Sequence, residues 1–86
     1  MAVVRKLKKI LEERFPPPDK VDLRDDDGVI GVVTSKRFRR MDTMQRQDLI
    51  HDILAARLTG EERRHVLLII GVTPEEEVAN AGDEDQ

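Results

Sequence analysis

The chain has 86 residues, which points to one domain with one modest core. It has 38% hydrophobic and 38% charged residues, and its only aromatics are Phe15 and Phe38, so nucleic-acid recognition by several stacked rings is excluded. With no cysteine there is no disulfide, no thiol nucleophile and no cysteine-held zinc or iron–sulfur centre.

Residues 2–14 predict a helix, with Val3, Val4, Leu7, Ile10 and Leu11 at helical spacing and Lys and Glu on the other side. The run Arg5-Lys6-Lys8-Lys9 then forms its outer face. Pro16-Pro17-Pro18 ends it, since proline lacks an amide donor and restricts the residue before it. From Lys20 to Arg24, Val21 and Leu23 alternate with charges, which predicts a half-buried strand. Asp25-Asp26-Asp27-Gly28 is a turn, and Val29 to Thr34 is a second, β-branched strand, so the pair is a hairpin. Asp42 or Thr43 caps a long helix to about Leu58, with Met44 (weakly), Leu49, Ile50, Ile53, Leu54 and Leu58 on its apolar face. Thr59-Gly60-Glu61-Glu62 is a capping-box pattern for a short turn. Val66 to Val72 is a nearly continuous apolar strand, expected at a sheet centre. Thr73-Pro74-Glu75-Glu76 opens a last short helix, with a cap, a proline in the first turn and acids at the positive end. The expected core is Leu7, Leu11, Phe15, Val32, Phe38, Ile50, Ile53, Leu54, Leu68 and Ile70.

Charge is unevenly distributed. The net charge is −3, yet the first 74 residues hold all 15 basic groups and 12 of the 18 acids, for a charge of +3. Six acids and no basic residue follow between Glu75 and Gln86. The organisation expected is one domain over residues 1–78 and an acidic, disordered tail over 79–86. The apolar run at 66–72 is too short to cross a bilayer, and the first residues lack an apolar stretch of secretory length. A soluble cytoplasmic protein is expected.

Few patterns carry chemistry. The aspartates at 25–27 with Gly28 suggest a calcium loop, but an EF-hand with Gly28 at its sixth position needs an oxygen ligand at Leu23 and a glutamate at Thr34, and both fail. His51 and His65 are the only imidazoles, and His65 is the one weak candidate for a metal. Ser35 with a histidine and an aspartate lacks a nucleophile elbow or glycine-rich oxyanion loop, and no phosphate-binding glycine loop is present. No catalytic residue, no cofactor and no enzyme activity are expected. The clearest feature is Lys36, Arg37, Arg39, Arg40 and Arg46, a basic cluster around Phe38 where the second strand leaves for the long helix. Guanidinium groups bind carboxylate or phosphate in two-pronged fashion, so this cluster is the candidate surface for a protein partner or a nucleic acid.

The segment from Phe38 to Leu54 resembles the signature of the BolA family: a phenylalanine, an arginine eight residues on (Arg46), an apolar pair (Leu49-Ile50) and a leucine (Leu54). Val32 to Phe38 is similar to that family's second strand and its Ser-x-x-Phe exit. His65 to Glu76 is similar to its last strand and Thr-Pro-Glu-Glu ending, and Leu7 to Phe15 with the prolines fits its first helix. The resemblance implies an α+β domain of order α-β-β-α-β-α: a three-stranded mixed sheet with helices on one side, like a class II KH arrangement without the Gly-x-x-Gly loop. It also implies a non-enzymatic regulatory module that binds a monothiol glutaredoxin. The alternative it leaves open is a transcription-linked regulator that binds nucleic acid through residues 36–46. In the family a last-strand histidine, with a ligand from the loop after the first strand, can hold a shared [2Fe–2S] cluster. Here those places hold Ile70 and Gly28, so no iron ligation by this chain is expected. The oligomeric state stays open.

Overall fold

The structure is a computed structural model that describes residues 2–78. The expectation of a disordered tail over 79–86 lies outside the described residues. Helix α1 (Ala2–Arg14) buries Leu7, Ile10 and Leu11, the apolar stripe that its spacing predicts. Strands β1 (Lys20–Asp25) and β2 (Val29–Thr34) pair antiparallel across a turn where Asp27 and Gly28 take φ of 58° and 131°. That backbone suits Asp and Gly, and a Cβ on Gly28 would sit 2.6 Å from Leu67 Cγ.

A 3-10 turn (Lys36–Arg40) leads into helix α2 (Thr43–Arg57). Asp42 is the cap: its carboxylate accepts from Gln45 N, and Gln45 Oε1 accepts from Asp42 N. Thr59 and Glu62 repeat this reciprocal cap on helix α3 (Gly60–Arg64), and Thr73 and Glu76 repeat it where residues 74–78 turn helical. No helix among the described residues is long and apolar enough to cross a membrane.

Strand β3 (Val66–Val72) runs parallel to β2, and the sheet order is β1-β2-β3. The mixed three-stranded sheet with helices on one face is as expected. The place of β3 is not: it is an edge strand, and β2 is the centre. The core corrects accordingly. Val32, Leu68 and Ile70 lie outside it, and Val29, Val33 and Ile69 are buried in their stead, with Ile10 and Leu58. Register explains the change. Ile30 pairs with Leu68 and Val32 with Ile70, so these side chains share the face away from the helices, while Gly31 and Ile69 share the covered face. Leu68 is 54% exposed and Ile70 37%. The remaining expected core residues, Leu7, Leu11, Phe15, Phe38, Ile50, Ile53 and Leu54, are buried.

Candidate partner-binding corner

The basic cluster sits where β2 hands the chain to α2. Ser35, fully buried, ends β2: its hydroxyl donates to Asp19 Oδ2 at 2.9 Å and accepts from Arg37 N at 3.1 Å, starting the 3-10 turn. Ser35 is thus a cap held by an aspartate. Phe38 turns inward as predicted, its ring 5.5 Å from that of Phe15. Gly71 lies against it so closely that a Cβ there would come within 2.8 Å of the ring. The neighbours Lys36, Arg37, Arg39 and Arg40 are left exposed.

Arg46 differs from the other four. Its side chain is only 13% exposed. Nε donates to Met41 O at 2.9 Å, Nη2 to Phe38 O at 2.8 Å and Nη1 to Gly71 O at 3.1 Å. Nη1 also meets Glu76 Oε1 at 2.7 Å, and the guanidinium lies 5.7 Å from the Phe38 ring centre. One planar group thus ties the 3-10 turn, β3 and the 74–78 helix to α2, a use of arginine's fixed fork that lysine does not match.

Two more of the cluster are engaged. Arg39 forms a two-pronged pair with the Glu75 carboxylate. Arg37 donates to Arg14 O at 2.8 Å, at the carbonyl end of α1, and lies 5.0 Å over Phe15. Lys36 and Arg40 have no hydrogen bond or ion pair among the described residues.

The acids that hold these cations were not separable from the tail by sequence. Glu75, Glu76 and Glu77 bind Arg39, Arg46 and the Lys20–Thr34 pair respectively. Arg39 holds Glu75 below the usual carboxylate range, Arg46 does the same for Glu76, and the Thr34 hydroxyl followed by Lys20 does so for Glu77. The 74–78 helix is therefore stapled across the end of the sheet. The legible signal was the opposed sign of the 36–46 and 75–77 runs, without the pairing.

Elsewhere the chemistry is sparse. His65 ends α3 and His51 lies exposed on α2, and no three His, Asp or Glu side chains among the described residues are grouped to hold an ion. The positions where the family resemblance implies cluster ligands carry Ile70, an aliphatic side chain on the open sheet face, and Gly28 in the hairpin turn. These residues do not fit an iron–sulfur cluster. Two apolar surfaces remain. One is the open sheet face, a shallow depression lined by Asp22, Arg24, Ile30, Val32, Leu68 and Ile70. The other is a cleft of about 250 Å³ between α2 and the β3 edge, where Gln47, His51 and Arg63 rim Leu54 and Leu67.

No family model matches the chain, and no curated protein matches it. A search of solved structures finds BolA1 from Arabidopsis thaliana, at a TM-score of 0.66 and 18% identity, over 86% of this chain and 94% of that one. The likeness spans most of both proteins, and the chain has a BolA-like fold.

Proposed function

We propose that the chain is a non-enzymatic protein-interaction module of BolA type whose partner is a monothiol glutaredoxin, docked at the 3-10 corner without a cluster ligand from this chain. The observation that carries the reading is the corner itself on a BolA-like fold: Lys36 and Arg40 stand exposed and unpaired among the described residues, on a turn anchored by Phe38, Ser35 and Arg46. A fixed backbone that presents two cations unpaired among the described residues is prepared for an acidic protein surface, because little ordering is left to be done on docking. The same inventory weighs against nucleic acid. Arg37, Arg39 and Arg46 are committed within the chain, and salt-dependent phosphate binding rests on the number of cations released to it.

Titration of the isotopically labelled protein with apo monothiol glutaredoxin, followed by amide shifts, is the test. Changes concentrated in residues 36–40 support the proposal. Saturating partner with no shift, or shifts confined to α1, contradict it.

A further inference from the structure

Granted the docking corner above, on which the inference rests, we propose that Glu75 is an internal stand-in for the partner: its carboxylate fills a two-pronged seat on Arg39 that a carboxylate of the docked acidic surface takes over. The 3-10 turn has three residues per turn, so positions three apart share a row. One row, Ser35, Phe38 and Met41, faces the core: the first two are buried and Met41 packs against them. The other two rows, Lys36 with Arg39 and Arg37 with Arg40, face solvent. Arg39 therefore stands in one row with Lys36, and Arg40 follows it directly. Without Glu75 these three form a single patch of cations.

The three acids of the 74–78 helix do different things. Glu76 meets Arg46, a side chain only 13% exposed that also donates to three carbonyls. Glu77 accepts from the buried Thr34 and from Lys20. These two secure the helix to the rest of the fold. Glu75 holds only Arg39: Nε donates to Oε1 at 3.2 Å and Nη2 to Oε2. The two side chains are 49% and 60% exposed, and that of Arg39 makes no other hydrogen bond among the described residues. An ion pair so exposed adds little to stability, and it opens without moving a helix that Glu76 and Glu77 retain. A guanidinium fork closed on a carboxylate is the geometry in which a partner's aspartate or glutamate is received. Glu75 is tethered, so it competes at an effective concentration that a lone acid in solution does not match. Displacing it takes a surface whose further acids engage Lys36 and Arg40 at the same time. The partner selected is a protein surface with several clustered carboxylates.

Labelled native chain, Glu75→Gln and Glu76→Gln, each titrated with apo monothiol glutaredoxin and separately with an oligoglutamate peptide, test this through amide and arginine Nε–H shifts. Glu75→Gln is expected to bind both about two- to fivefold more tightly than the native chain, the share returned when an exposed ion pair need not be broken. Glu76→Gln removes the same charge and keeps an acceptor for Thr73 N, but Arg46 stays held by its three carbonyls, so no such gain is expected. Adding Arg39→Gln to Glu75→Gln is expected to abolish the gain. A Glu75→Gln chain that binds oligoglutamate no better than the native chain overturns the proposal. So does an equal gain in Glu76→Gln, a gain that survives Arg39→Gln, or a gain confined to an oligonucleotide titrated in the same way. A gain with oligoglutamate when no form binds glutaredoxin upholds the seat at Arg39 and removes glutaredoxin as its partner.

Discussion

Replacing Arg46 with alanine is expected to destabilise the domain by roughly 3 kcal/mol. The figure follows from what the guanidinium holds. The carbonyls of Phe38, Met41 and Gly71 lose a charged donor in part-buried positions, and the stacking on Phe38 is lost with it. A buried acceptor left without a partner costs about 1–3 kcal/mol, and since one side chain serves all of them the losses do not simply add. At about 0.05–0.15 kcal/mol per residue, a domain of this size has total stability of about 4–13 kcal/mol, so the loss is a large share. With each kcal/mol worth about 4–8 °C in a small domain, thermal unfolding followed by circular dichroism should fall by about 12–24 °C. Arg46→Lys should recover less than half, because a point ammonium does not reach diverging carbonyls as the planar fork does. A fall of less than about 4 °C for Arg46→Ala would refute the structural role assigned to this residue.

Other expectations follow from the same corner. Glu75, Glu76 and Glu77 have folded-state pKa values below the ordinary 4.5, so the unfolded chain binds more protons in that window. Their contribution to stability is complete above 4.5 and is lost as pH falls below it. Melting temperatures between pH 7 and pH 3 should show this, with a flatter profile when all three are changed to glutamine. Gly71→Ala forces a methyl against the Phe38 ring and should cost about 1–3 kcal/mol, while an unchanged midpoint in urea would contradict the close packing. The absorption spectrum of a cluster-loaded mixture with monothiol glutaredoxin should be the same for the native chain and His65→Ala, and a spectrum that changes would make His65 a ligand.

Much of the fold was legible because its signals are local. The spacing of Leu7, Ile10 and Leu11 marks α1, and the caps Asp42–Gln45, Thr59–Glu62 and Thr73–Glu76 span three residues each. β3 was misplaced because an unbroken apolar run has no alternation: it reads as a central strand, and nothing in it tells which side faces the core. Here the run signals an edge that is apolar on both sides, which the sequence pattern does not separate from burial on both sides. At the corner, the cations were visible, and so was the inward Phe38. Their engagement was not, because Arg39 meets Glu75 and Arg46 meets Glu76 across 36 and 30 residues of chain. Arg46 stood apart only through the family resemblance, and its role as a hub of carbonyl bonds emerges from the three-dimensional meeting of α2, β3 and the 3-10 turn.

The central claim is that the exposed cations of the 3-10 turn receive the partner. Calorimetric titration of apo monothiol glutaredoxin into the native chain and into Lys36→Glu/Arg40→Glu tests it most directly. These exposed substitutions should change stability by no more than about 0.5 kcal/mol each. Binding by the native chain that is lost in the double variant is the expected result, and binding of equal strength in both contradicts the account.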